Sequence, residues 1–359
     1  MELIYQIHNI GIFLDGPEGE WRERTLKLLK DQFDGFEVYL NKKIVEYKLI
    51  IRDLERLVIP NDTIVVPENS YFLPDGTICW FERHIAYRID KNEIYFWVKD
   101  ETWFAPYLIE YLLEMQKETF VHGAGISVGE GNAKRGILLL AFGGIGKTCF
   151  ISKALRKENI KLLGDDLIIL DREGCLRSYP RPFCIYKYHK NLFKEYFSNH
   201  KLDIYYVKNN QYLLRGIRKI KRKLGMRVRP SSEYMLVSPM KIFTDDKLEM
   251  EKVLLKDAYI LRRKTGLDKI EVTKSNDIEK ATMFAQNVLM HEWDIGMKIL
   301  YNRKAESFEN IVSYMKENYD TIYDCLKKAH NIYLVDIPES MDAESVSVGL
   351  TEIIVEEKR

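Results

Sequence analysis

Gly136-Ile137-Leu138-Leu139-Leu140-Ala141-Phe142-Gly143-Gly144-Ile145-Gly146-Lys147-Thr148 is the stretch whose reading decides the fold. Its leucine-rich start reads as a short buried strand. It breaks into a glycine-rich turn and then into Cys149-Phe150-Ile151-Ser152-Lys153-Ala154-Leu155, where apolar residues recur at helical spacing. Strand, glycine loop ending in Lys-Thr, helix: this is the context of a phosphate-binding P-loop. In such a loop Gly143, Gly144 and Gly146 let backbone N–H groups turn inward around a polyphosphate, with Ala141, Phe142 and Ile145 completing the cradle. The following helix aims its positive end at the same anion. Lys147 is placed to reach the terminal phosphates, and the Thr148 hydroxyl is a hard oxygen ligand suited to Mg²⁺. The pattern G-x-x-x-x-G-K-[ST] has Ala141 at its first position instead of glycine. The competing reading, a glycine turn followed by an incidental Lys-Thr, is weakened by the strand before and the helix after.

A second piece follows one helix later, Lys161-Leu162-Leu163-Gly164-Asp165-Asp166-Leu167-Ile168-Ile169-Leu170-Asp171. Two apolar runs flank an Asp-Asp pair, so the carboxylates are expected at a break within or between strands beside the P-loop strand. Adjacent carboxylates in an apolar frame are costly unless they meet a cation or share a proton. A bound Mg²⁺ supplies the cation, and the second carboxylate can accept a proton from an attacking hydroxyl. The plainer alternative is a turn carrying two solvated aspartates.

Upstream, Thr119-Phe120-Val121-His122-Gly123-Ala124-Gly125-Ile126-Ser127-Val128 alternates like a strand and carries a lone histidine. Taken singly, such a histidine is more often a satisfied core residue than a catalyst. The order of pieces gives it meaning: His-Gly strand, apolar strand, P-loop, helix, Gly-Asp-Asp strand.

In that order the chain resembles the HPr kinase/phosphorylase family, and still more the looser group of HPr-kinase-related P-loop kinases. That group includes enzymes that phosphorylate a serine of ribosomal peptides such as lasso-peptide precursors. The resemblance rests on Val121-His122-Gly123, Gly143-Gly144-Ile145-Gly146-Lys147-Thr148, Leu163-Gly164-Asp165-Asp166 and Tyr179-Pro180-Arg181-Pro182. It covers about the middle fifth of the chain strongly and the later parts in outline. It implies an α/β fold with a P-loop kinase core of the HPr kinase/phosphoenolpyruvate carboxykinase type, and ATP and Mg²⁺ as cofactors. It also implies that Lys147 and Thr148 contact phosphate and metal, Asp166 accepts the proton, Asp165 supports the metal or the base, and His122 assists near the transferred phosphate. The family's E-I-R-G-L-G signature has no counterpart after Asp166, where Tyr179-Pro180-Arg181-Pro182-Phe183 stands. This departure argues against HPr as the substrate and against reverse phosphorylase activity. It also leaves the metal with fewer assigned ligands.

The whole chain of 359 residues is long enough for two or three domains. With 55 basic and 54 acidic residues the formal net charge is +1, so no global charge argues for nucleic acid or a membrane surface. No apolar run reaches the ~18 residues of a membrane helix, and Met1-Glu2-Leu3-Ile4 does not read as a signal peptide. The 5 cysteines (Cys79, Cys149, Cys175, Cys184, Cys325) are scattered and read as reduced thiols in a cytoplasmic protein. Residues 1–104 read as a separate, mostly β module, with strand-like runs at Glu37–Leu40, Thr63–Val66, Thr77–Trp80 and Glu93–Val98 and a helix from Trp21 to Asp31. The boundary falls near Asp100. An amphipathic helix from Ala105 to Lys117 then opens a catalytic domain over 105–359.

Within that domain, residues 186–232 form an aromatic and basic insertion, with no acid from Ile204 through Ser232. The insertion is either a solvated face or a positive patch for an acidic or phosphorylated ligand. Arg181, Arg215, Arg227 and Arg229 are candidates for a transition-state cation, Arg181 first because it lies nearest the carboxylates in sequence. Strands at Met235–Val237, from Val253-Leu254-Leu255 to Ile260-Leu261, and at Asn331–Val335 alternate with helices at Ile278–Trp293, Ser307–Lys328 and Ser345–Glu356. The His291–Gly296 stretch lacks the second histidine of H-E-x-x-H, which argues against a metal helix.

The resulting expectation is a kinase that moves the γ-phosphate of ATP to a hydroxyl, with a serine of a peptide or protein as acceptor. A small hydroxyl-bearing metabolite is the alternative acceptor, and a slow nucleotide-hydrolysing switch is the alternative activity. A carboxykinase-like reaction shares the core architecture, but the sequence holds no second-metal His/Lys set. Neither nucleic acid nor a membrane span is expected, and a homo-oligomer is left open.

Overall fold

A computed structural model describes residues 1–38, 44–66, 70–186, 189, 192–200, 234–293 and 309–356. The first part is built on an eight-stranded sheet of order β1-β2-β3-β8-β7-β6-β5-β4. Its strands are β1 (Glu2–Ile7), β2 (Ile10–Asp15), β3 (Tyr47–Asp53), β4 (Ile64–Val66), β5 (Ser70–Phe72), β6 (Ile78–Trp80), β7 (Ile85–Asp90) and β8 (Glu93–Val98). Helix α1 (Glu20–Phe33) buries Trp21, Thr25, Leu29 and Phe33. That spacing of four sets them on one face of the helix.

Next come α2 (Ala105–Glu114), β9 (Glu118–Val128), β10 (Arg135–Leu140), α3 (Lys147–Ala154), β11 (Ile160–Asp171), β12 (Cys175–Arg177), β13 (Phe183–Tyr186), α4 (Lys194–Asn199), β14 (Tyr234–Val237) and α5 (Pro239–Ile242). The chain ends with β15 (Val253–Lys264), β16 (Glu271–Ser275), α6 (Ile278–Glu292), α7 (Glu309–Lys328), β17 (Asn331–Pro338) and α8 (Ala343–Thr351). Seven of these strands form a second, mixed sheet of order β10-β9-β11-β12-β15-β17-β16, and β10 also pairs with β15. The β10–β15 and β15–β17 pairs are parallel, while β9 pairs antiparallel with both β10 and β11. The protein is thus mixed α/β.

Alternation along the strands sorts the core into two faces. Ile137 and Leu139 of β10 pack with Phe150 and Ile151 of α3 and with Val346 and Leu350 of α8. Leu138 and Leu140 pack on the opposite face with Ala281 and Ala285 of α6 and Ile322 and Leu326 of α7. The core under the first sheet runs on through Leu108, Phe120, Leu167, Tyr179, Trp293 and Tyr314.

Several sequence expectations change here. The Asp165-Asp166 pair lies within one continuous strand, β11, and β9 stands between that strand and β10, the P-loop strand it was expected to adjoin; the expected Val253 to Ile260-Leu261 strand is β15. In β11 the irregularity is absorbed without ending the strand: the register shifts between Leu162 and Gly164, and Asp166 takes a φ of 79°. Strands β1 to β3, β5, β7, β12, β13 and β16 lack an expected counterpart; residues 39–40 of the expected Glu37–Leu40 strand, residues 307–308 of the expected Ser307–Lys328 helix and most of the basic insertion lie outside the described residues. Among the described residues no helix is long and apolar enough to cross a membrane.

Candidate functional site

The register of the second sheet builds the site. Gly123 of β9 stands opposite Leu140, the last residue of β10, on one side and opposite Asp166 of β11 on the other. The mouth of the glycine loop, the His122-Gly123 pair and the Asp165-Asp166 pair therefore lie side by side across three strands. The fit is close. A Cβ on Gly123 would stand 2.6 Å from the Leu139 carbonyl oxygen, so a side chain there would push the strands apart.

The loop from Ala141 to Gly146 leads into α3, whose N-cap is Gly146 at φ 112°, in the left-handed region that glycine enters without strain. Lys147, the first helical residue, is buried and folds back over the loop. Its ammonium donates to the Ala141 carbonyl at 2.7 Å, the Phe142 carbonyl at 3.0 Å and His122 Nε2 at 3.1 Å. These contacts use all the donors of an ammonium group. Burial holds its pKa below the usual lysine value, while Asp165, Asp166 and Glu292 act in the opposite direction.

An ammonium cannot accept a hydrogen bond, so with Lys147 charged the His122 proton belongs on Nδ1. That nitrogen faces Asp166 Oδ1 at 3.4 Å. Burial first, and then the Lys147 charge, pushes the His122 pKa down to about 4, so the ring is neutral near pH 7. Asp166 receives a second partner on its other oxygen, Arg181 Nη1 at 2.9 Å. Arg181 is held there by its neighbour Tyr179, whose N–H donates to the Leu163 carbonyl at 2.7 Å and whose ring packs on Phe120 and Phe36. A left-handed φ at a non-glycine residue is costly and needs surroundings that hold it. Asp166 is held by ladder pairing to Gly123 and by the two side-chain contacts.

Asp165 points the other way along the strand, into the protein, where the Thr148 hydroxyl donates to its Oδ2 at 2.6 Å. Burial pushes the Asp165 pKa up to about 6. A buried carboxylate of this kind gains from a cation, and a hydroxyl beside a carboxylate is a suitable donor set for a hard ion. Mg²⁺ takes one or two protein oxygens and completes its shell with phosphate and water, so Thr148 and Asp165 fit that ion. Among the described residues no group of three or more His, Cys, Asp or Glu is arranged to hold a metal by itself.

The structure thus brings His122, Ala141 to Thr148, Asp165, Asp166 and Arg181 together. Arg215, Arg227 and Arg229 lie outside the described residues.

The sequence reading missed the end of α6. His291 packs against the Phe142 ring at 5.5 Å between centroids, and Trp293 packs on Tyr107 at 4.9 Å. Between them, Glu292 accepts a hydrogen bond from the Gly143 N–H at 3.0 Å and lies 4.0 Å from His122 Nε2. The same stretch, read for a second histidine, says nothing of this, because its partners are far away in the chain. Tyr107 was also missed. Its hydroxyl pKa is raised by burial, with the charges of Arg181 and Asp166 acting on it.

Among known proteins, the chain matches no family model and none of the curated proteins.

Proposed function

We propose that the protein is a P-loop phosphotransferase. Within that class it is best described as an ATP-dependent, HPr-kinase-like kinase that phosphorylates a serine hydroxyl of a peptide or protein. The observation that carries the reading is the unbroken chain from phosphate cradle to carboxylate: Lys147 Nζ to His122 Nε2, His122 Nδ1 to Asp166 Oδ1, and Asp166 Oδ2 to Arg181. A module that only binds nucleotide has no use for a base held at the mouth of its cradle.

In this reading the loop N–H groups and the start of α3 bind the β- and γ-phosphates. Lys147 leaves the Ala141 and Phe142 carbonyls to meet them. Thr148 and Asp165 would hold Mg²⁺, which when bound offsets phosphate charge. The acceptor hydroxyl approaches Asp166 and gives it its proton as the oxygen attacks the γ-phosphorus. The new O–P bond forms as the bond to the β,γ-bridging oxygen breaks, and ADP leaves with that electron pair. Neutral His122 faces Asp166 Oδ1 through Nδ1. Arg181 pairs with the other carboxylate oxygen and offsets charge on the transferring group.

The test is mass spectrometry of products after incubation with Mg·ATP and a panel of serine peptides, with small alcohols alongside. One added phosphate on a peptide, lost in Asp166→Asn, is the expected result. Phosphate on a small alcohol alone would move the acceptor class to metabolites. ATP turnover with no phosphorylated product would overturn the kinase reading.

A further inference from the structure

We infer that Glu292 is a built-in occupant of the phosphate cradle, which a polyphosphate must displace in order to bind. The inference rests on the phosphate-binding reading of the loop and adds a residue that no motif in the chain marks.

A P-loop works because its N–H groups face an anion. Here the Gly143 N–H already faces one, Glu292 Oε1 at 3.0 Å. The contact is tight, since a Cβ on Gly143 would stand 3.2 Å from that oxygen. The same oxygen lies 4.0 Å from His122 Nε2, and Glu292 is among the carboxylates acting on Lys147. It therefore occupies the position a phosphate oxygen would take at the Gly143 N–H.

Its position on the helix is unfavourable without such a partner. Glu292 is the last residue of α6, where the helix dipole disfavours negative charge. Its neighbours leave it little choice. Trp293 is buried against Tyr107 and Phe120, and His291 lies on Phe142. The helix end is pinned on both sides, and the carboxylate between the pins faces the loop.

Charge makes the occupancy consequential. With Glu292 in place, three carboxylates (Asp165, Asp166, Glu292) surround two cations (Lys147, Arg181), and His122 is neutral. When Glu292 leaves, the carboxylates and cations balance. An incoming polyphosphate is repelled by the resting arrangement and accepted by the displaced one, so Glu292 sets a threshold. Only a ligand that satisfies the Gly143 N–H and Lys147 together replaces it. The lysine's own contacts, all within the protein, belong to the same resting state.

The experiment is calorimetric titration of the full chain with Mg·ATP, and separately with magnesium tripolyphosphate, for the wild type, Glu292→Ala and Glu292→Gln. Melting curves accompany each variant; Trp293, the anchor of the helix end, is untouched. Removing a charged competitor for one donor is expected to tighten binding of both ligands about tenfold in Glu292→Ala, with Glu292→Gln between it and the wild type. Weaker binding in Glu292→Ala would mean that Glu292 contacts the ligand or its metal, and would overturn the inference. Equal binding in all three proteins would overturn it too, while leaving the phosphate-binding reading intact. Failure of all three to bind either ligand would overturn both.

Discussion

Lys147 Nζ donates to His122 Nε2 across 3.1 Å, and this single contact decides where the imidazole proton sits. It forces the proton onto Nδ1, toward Asp166, and makes a protonated ring unfavourable beside a buried ammonium.

A pH dependence of stability follows, with two opposing parts. The folded pKa of His122 is about 4, against an ordinary value of 6.5. Between those values the unfolded chain holds the extra proton, so this part of the stability is complete above about 6.5 and is lost as pH falls toward 4. Asp165 runs the other way. Its folded pKa is about 6 against an ordinary 3.8, so the folded chain holds the extra proton and its contribution fades as pH rises from 3.8 to 6. Relative to wild type, the melting temperature of Asp165→Asn should rise with pH across this window, and that of His122→Gln should fall. Thermal melts in half-unit steps of pH check both signs; parallel curves for all three proteins would refute the shifts.

Replacing Lys147 by Met should lower phosphate transfer by about 10²–10³-fold, the cost of losing one preorganised donor to a developing charge. The change also removes a buried charge, so the fold should persist. Circular dichroism and product mass spectrometry on the same sample separate the two effects. Retained transfer would remove Lys147 from the chemistry.

Asp166 combines the carboxylate proposed as the base with a backbone conformation that few side chains accept. Asn tolerates the left-handed region and Ala does not. Both Asp166→Asn and Asp166→Ala should lose transfer by about 10²–10⁴-fold. Only the alanine variant should also lose stability, by roughly 1 kcal/mol relative to the asparagine variant. Urea denaturation of the pair measures the difference.

Gly123→Ala tests the register that assembles the site. The new Cβ meets the Leu139 carbonyl oxygen at 2.6 Å, which is backbone and cannot swing aside. Strand separation should cost about 1–3 kcal/mol of stability. It should also disturb His122, next in the chain, so transfer should fall together with the melting temperature. A variant as stable as wild type would show that the strands have slack.

Much of the site was legible in the chain because its pieces are local. A glycine loop between an apolar strand and a helix is recognisable from spacing alone, and Ala141 to Thr148 takes that form. The Asp165-Asp166 pair was legible as a break within or between strands, and it lies at a bulge and one left-handed residue through which β11 continues; its separation from the loop strand by β9 was not legible. In the first sheet, β1 to β3, β5 and β7 escaped notice because their pairing partners, and not turn residues, define them.

By itself the sequence determined the local features: the glycine loop between a strand and a helix, and the residue types for which phosphate, metal and proton roles are proposed. The tertiary structure alone decided what meets what. Gly123 joins the loop strand to the carboxylate strand, and Glu292 reaches Gly143 from a helix 149 residues further along the chain. The reason is physical. Backbone sterics and helical or strand periodicity act over a few residues and leave a signature in spacing. A contact between distant segments is set by how sheets register and helices pack, which no short stretch of sequence contains.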